Sequence, residues 1–204
     1  MTRQGRAAFF LLLPAVTLIT LFYLIPVLGS LVLSLTDFDL YSVGDVANTR
    51  FVGAKNYIAM VQNPVFWQAL RNTLYFSLVG GPLTILASLA AALLLNAKLA
   101  RFKSIFRTIY FAPVVTSIVA VAVVWRYVYH TRVGIMNRIL ESIGIAPIDW
   151  LGDPKWAMPA LILLAIWKNF GYAAVIFLAG LQNVPEELYE AARIDGAGPV
   201  SQFR

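Results

Sequence analysis

Cysteine is missing from the 204 residues, histidine occurs once, and charged residues make up only 13%. Without cysteine there is no disulfide framework, no thiolate chemistry and no cysteine-based metal site. His130, with no second histidine and no thiol, gives a transition metal too few ligands. The shortage of charge excludes more, because a soluble domain has about a quarter of its residues charged and needs them to face water. None of the ten acidic residues falls in a long apolar run, which argues against a proton-coupled carrier with acids in its spans. No GxxxxGK[ST] phosphate loop occurs, so nucleotide hydrolysis by that device is excluded. No acid–base pair or metal cluster stands near the apolar runs to support a membrane enzyme. The formal charge of +6 is not a nucleic-acid signature either, since the basic residues cluster between apolar blocks instead of forming a solvated patch.

What is present is apolar, at 60% hydrophobic residues and a mean hydropathy of +0.75. Residues 7–36, 72–97 and 108–125 carry no charge. A helix crossing the hydrocarbon core needs about 20 residues at about 1.5 Å each. The first two runs are long enough, and the third becomes so with Arg126 snorkelling to an interface. A fourth, AMPALILLAIWKNFGYAAVIFLAGL, is interrupted by Lys168. A central lysine disfavours insertion by roughly 2.5–3.5 kcal/mol, which the flanking Leu, Ile, Phe and Val residues outweigh. The expectation is an all-α polytopic membrane protein with four spans, approximately 8–35, 73–96, 108–129 and 157–181. The first apolar run is roughly twice a signal-peptide core and lacks a small-x-small cleavage site, so it reads as an uncleaved span. Pro82 and Pro113 mark expected bends, tolerated in lipid because neighbouring helices re-satisfy freed carbonyls.

Orientation follows from lysine and arginine. Arg3 and Arg6 precede the first span, and Lys98, Arg101, Lys103 and Arg107 crowd the connection 98–107 with no acid among them. The segments 37–71 and 129–157 balance basic with acidic residues. Basic density places the N-terminus and 98–107 in the cytoplasm, and four spans return the chain there near residue 182. The outward connections read as short interfacial helices. In one, Tyr57, Ile58, Val61 and Trp67, Leu70, Leu74 are spaced for helices broken at Asn63-Pro64; in the other the pattern runs through Met136, Ile139, Leu140 and Ile143 to Gly144.

The stretch NVPEELYEAARIDGAG, 183–198, could not sit in lipid. Asn183 can cap a helix, Pro185 suits its first turn, and Glu186 and Glu187 favour the positive end of its dipole. Glu190 can reach Arg193 at i+3. Gly196 permits a left-handed stop and Pro199 a second short helix. Such a knob, with alanine and glycine where another backbone approaches, suits a partner's groove.

These residues carry a resemblance. ELYEAARIDGAG, with Phe203 following, resembles the EAA motif of ABC importer permeases, and FVGAKNYIAM…NPVFWQALRNTLYFSLV with FLAGLQNVPEELYEAA resembles its MalF-like sugar-importer branch. The resemblance covers nearly the whole chain. It implies a type I ABC importer permease fold, about four of the usual six core spans being present, with further spans beyond Arg204. It implies that 184–203 is a cytoplasmic coupling segment, in which Glu190, Ala191, Ala192, Asp195, Gly196 and Ala197 meet an ATPase. The implied partners are a second permease subunit, a cytoplasmic ATPase dimer that binds ATP and Mg, an extracytoplasmic solute-binding protein and the bilayer of the inner (plasma) membrane. No cofactor belongs to this chain, which is not itself an enzyme. Lys168, with Trp167, Asn169 and Tyr172, has two readings open: lining a polar solute path, or fixing packing and helix geometry. A non-transporting scaffold subunit is the alternative function, and a secondary transporter a weaker one.

Overall fold

A computed structural model describes residues 3–39, 49–96 and 103–203; Lys98, Arg101 and Asp45 lie outside the described residues. These residues form eleven α-helices, and the chain divides into two compact units, Met1–Leu70 and Arg71–Arg204.

In the first unit, α1 (Arg3–Ile19) and α2 (Ile25–Leu33) are joined by one widened π turn at Thr20–Leu24, and Ala8–Leu33 is apolar and long enough to cross a membrane. The widening has a cause one turn on. Pro26 lacks an N–H and its ring collides with the carbonyl four residues back, Phe22, which the π turn displaces. The end of α2 is closed from a distance, because Asn56 Nδ2 donates to the carbonyls of Ser34 (2.9 Å) and Thr36 (2.7 Å). Asn56 stands on α3 (Lys55–Gln62), whose next residue, Tyr57, shares a 2.6 Å hydrogen bond with Ser34 Oγ.

After Asn63 the chain does not make a second short helix. α4 (Pro64–Tyr75), a π turn at Phe76–Gly80 and α5 (Gly81–Asn96) form one continuous rod, Pro64–Asn96. Trp67, Leu70 and Leu74 therefore lie in the first turns of a helix that runs on without interruption through the apolar stretch 73–96. Arg71 interrupts the apolar run without interrupting the helix. The bend expected at Pro82 takes the form of the same π device, since the carbonyl it would strike, Leu78, lies inside the widened turn.

In the second unit α6 (Lys103–Val115) and α7 (Ile118–Val128) occupy the third apolar run. The single helix expected over 108–129 is two, bent by 101°. The break falls at Thr116-Ser117, while Pro113 stays inside α6. Thr116 Oγ1 donates back to Ala112 O (2.8 Å), and Ser117 turns extended at ψ 133° while its carbonyl starts α7. A hydroxyl competing for main-chain groups on one side and an extended residue on the other end the ladder more decisively than the proline does. α8 (Ile135–Ser142) follows and stops at Gly144, φ +80°. α9 (Pro154–Gln182) is capped by Asp153, whose carboxylate accepts from Lys155 N at 2.8 Å.

The core is the seam of α5 and α9. Ser88, Ala91, Ala92 and Leu95 of one helix and Ala174 and Leu178 of the other are buried, and the serine and alanines are small enough to let the backbones approach. Gly80 lies level with Ile162, and Ala92 and Leu95 pack on Leu178. Residue numbers rise together along the seam, so the two spans are parallel. Two parallel spans leave the membrane on the same face, and the chain between them must cross back once. The apolar element among the described residues there is the bent α6–α7 pair, so the described residues hold three helices long and apolar enough to cross a membrane, or four if that pair counts as one span.

Candidate functional site

Beyond α9 come α10 (Glu186–Ile194) and α11 (Pro199–Phe203). Asn183 closes α9 instead of capping α10, and Pro185 is the N-cap. Glu186 and Glu187 lie in the first turn and Arg193 in the last, as the helix dipole favours. The stop after Asp195 is a full Schellman motif: Ala197 N donates to Ala192 O (2.8 Å) and Gly196 N to Arg193 O (3.1 Å). This geometry needs the left-handed Gly196, φ +81°. Ala192 and Ala197 are half-buried at the turn, whereas Glu190, Ala191, Asp195 and Gly196 are exposed. Gln202, absent from the sequence reading as a functional residue, braces the turn by donating from Nε2 to Ala197 O at 2.8 Å. A groove of about 810 Å³ separates this segment from the ends of α5 and α9, lined by Leu93, Asn96, Leu181, Tyr189, Arg193 and Phe203 among others.

Arg193 does not pair with Glu190. Its guanidinium bonds Tyr189 O (3.1 Å) and the Glu186 carboxylate (3.0 Å), two turns back on its own face. Helical side chains lean toward the N-terminus, which favours the reach to 186 over a lateral one to 190. Among the described residues Glu190 makes no ion pair and faces outward. Ile194 and Val200 are 87% and 80% exposed, and Leu188 and Phe203 are exposed beside them.

The four residues singled out on α9 go to separate partners. Lys168 Nζ donates to three main-chain carbonyls at the broken end of α6: Pro113 (2.5 Å), Val114 (2.9 Å) and Thr116 (2.9 Å). Trp167 stacks edge-on against Trp125 at 5.5 Å, Asn169 bonds its own helix at Ala165 O, and Tyr172 is exposed. Of the two readings of Lys168, the observed contacts are those of helix geometry.

A residue that no local motif marks organises the connection 129–153. Asn137, 1% exposed, uses all four of its hydrogen-bonding positions. Nδ2 donates to Thr131 O (2.9 Å) and Ile148 O (2.8 Å), and Oδ1 accepts from Ile148 N (3.1 Å) and Trp150 Nε1 (2.9 Å). Around it Tyr129, Trp150 and Trp156 form a chain of ring contacts at 5.8 and 5.5 Å, and Tyr129 OH donates to Ala160 O of α9 (2.7 Å). Trp150 and Trp156 are thus packed together. His130 Nδ1 accepts from Arg132 N and Val133 N and so shapes the turn into α8.

Residues 80–204 match the profile of the binding-protein-dependent transport system inner membrane component. The chain belongs to this family of permeases. The matched part takes in the α5–α9 seam, the broken pair and the terminal knob. Among similar proteins, the probable ABC transporter permease protein YurN of Bacillus subtilis is 34% identical over all of this chain and 69% of its own length. The lactose transport system permease protein LacF of Rhizobium radiobacter is 40% identical over 93% of this chain and 62% of its own. This permease chain therefore spans about two thirds of such relatives. Its fold agrees with the crystal structure of a bacterial ABC transporter that imports the acidic polysaccharide alginate, with a TM-score of 0.72 and 26% identity over 96% of this chain and 64% of that one. The alginate transporter in complex with its alginate pentasaccharide-bound periplasmic protein gives 0.74 and 25%, over 98% of this chain and 65% of that one.

Proposed function

We propose that the chain is a membrane-spanning subunit of an ATP-driven importer for sugars or related solutes, and that 184–203 is where it receives force from a cytoplasmic ATPase. The observation that carries this is the exposed knob of α10 and α11, rigidly capped at Gly196 yet presenting Glu190, Leu188, Ile194 and Val200 outward. The parallel α5–α9 seam supports its sidedness. Gln182 ends on the same face as Asn96, next to the basic stretch 98–107, so the positive-inside rule assigns the knob to the cytoplasm without counting spans. The relatives, with lactose and alginate among their solutes, support the sugar class.

On this reading an external binding protein delivers solute, this subunit pairs with a second permease, and ATP binding draws two ATPase subunits together beneath them. A knob fixed to the end of a 29-residue helix converts that closure into rigid-body movement of α9 and the helices packed on it. ATP and Mg belong to the ATPase. Tyr172, Asn169 and Trp167 are the groups of α9 offered to the solute path.

The test is co-purification of the full-length chain with the ATPase, followed by solute-stimulated hydrolysis in liposomes. Glu190→Ala and Gly196→Pro should each cut stimulated hydrolysis by about tenfold while leaving membrane insertion intact. Undiminished stimulation in both variants, or labelling of a residue-190 cysteine from the outer face, would overturn the reading.

A further inference from the structure

We propose that Lys168 is the positioning residue that fixes the broken α6–α7 pair, its ammonium serving as a tethered internal cation in a site built from main-chain carbonyls. The end of an α-helix leaves its last carbonyls without donors and concentrates partial negative charge there. In hydrocarbon no water relieves them, and a helix interrupted inside a membrane makes a ready cation site from such groups. Here the end is α6, whose last carbonyls include Val114 and Pro113, the latter also accepting a long bond from Thr116 N (3.3 Å), with Thr116 in the break itself. An ammonium has three donors, and the Lys168 ammonium meets three acceptors, at 2.5, 2.9 and 2.9 Å. Ala112 O is taken by Thr116 Oγ1, Ser117 O by Val121 N and Pro113 O in part by Thr116 N, so the lysine adds a second donor to Pro113 O and supplies Val114 O and Thr116 O.

The surrounding contacts show what the pin holds. α9 touches both halves of the broken pair: Ala160 with Tyr129 and Trp167 with Trp125 on the α7 side, Lys168 with 113–116, and Phe170 and Gly171 with Tyr110 of α6. A Cβ at Gly171 would lie 1.8 Å from Tyr110 O, so the two backbones touch one turn beyond the lysine. Trp167 faces α7 and Gly171 faces α6, and the single charged contact sits at the bend between them. α9 then leads directly into the knob at 186–203. The bend is thus referenced to the same helix that carries the coupling segment, and Lys168 sets its angle.

The bend itself is tested without transport; the transport arm rests on the importer reading. In the full-length chain assembled with its partners, spin labels replace the exposed Ile109 and Val123, on either side of the break. The parent should give one narrow distance distribution, retained in Lys168→Arg and broadened or shifted in Lys168→Met; an unchanged distribution in Lys168→Met overturns the proposal. If Lys168→Met does not accumulate, Lys168→Gln against Lys168→Arg makes the same comparison of charge. For transport, Lys168→Met should lower the maximal rate by about tenfold or more with the half-saturating solute concentration unchanged. None of the 204 residues is cysteine, so Lys168→Cys can be modified selectively in this chain, with the parent complex as control for its partners. Aminoethylation with 2-bromoethylamine, which restores a lysine-length ammonium, should recover most of the rate, and neutral carbamidomethylation should not. Equal recovery by both adducts overturns the internal-cation role. Absence of import by the parent complex would instead count against the importer reading, and the distance arm would still decide the pin.

Discussion

The two ends of α9 differ in how their polar groups are satisfied. At one end, the connection 129–153 folds around Asn137, buried with four hydrogen bonds, and a ladder of Tyr129, Trp150 and Trp156. At the other, none of the described side chains of 183–203 is buried. It is shaped by backbone bonds around Gly196 and the brace from Gln202, and its apolar side chains stand exposed. The first end is complete by itself and stiff. The second is ordered in shape but open in surface. A device that transmits force wants both, a fixed end to work against and a presented end to be pushed.

The largest expected effect breaks the stiff end. Asn137→Leu keeps the γ-branched shape but deletes the partners of Ile148 N, Ile148 O, Thr131 O and Trp150 Nε1. Each polar group left buried without a partner destabilises by about 1–3 kcal/mol, and several are left together. A large drop in the thermal unfolding temperature of the detergent-solubilised protein is expected, well beyond that of Asn137→Asp, which keeps acceptors for Ile148 N and Trp150 Nε1. A fall no larger than that of an exposed control such as Ile139→Ala would mean that the connection is held by its aromatic rings alone.

A smaller effect is expected at the presented end. Gly196→Ala asks an L-residue to adopt φ +81° with open space around it, so only backbone strain opposes the change. That strain is about 1–2 kcal/mol. The shape of the turn should survive, and solute-stimulated hydrolysis should fall a few-fold, against the much larger loss in Gly196→Pro. Equal losses would mean that side-chain bulk and not backbone conformation is what the partner reads.

The sequence made this contrast half visible. Charge-free runs revealed the spans, because lipid imposes composition over about 20 residues. Their ends were less legible. Arg71 hid the helix start at Pro64, and Pro113 was the stronger local signal although the chain breaks at Thr116-Ser117. The turn at Gly196 could be read residue by residue, since capping motifs are local. Asn137 and Lys168 could not: the partners of Asn137 lie 6 to 13 residues away and those of Lys168 lie 52 to 55 away, and only the packed chain brings them together.

The smallest expected effect concerns Arg193, and it sharpens the contrast most finely. Its ion pair with Glu186 is short, at 3.0 Å, but both side chains are about half exposed. Pairs of this kind contribute about 0–1 kcal/mol and are screened by salt. Backbone caps already hold α10, so Arg193→Ala should leave thermal stability unchanged within about 1 kcal/mol. Coupled hydrolysis should change little too, and its response to raised salt should stay that of the parent. Glu190→Ala should behave differently, losing coupling at every salt concentration, because that carboxylate makes no ion pair among the described residues and faces outward. If Arg193→Ala instead matched Glu190→Ala, the ion pair would be part of the presented surface, and the groove that Arg193 lines with Tyr189 and Phe203 would belong to the docking face.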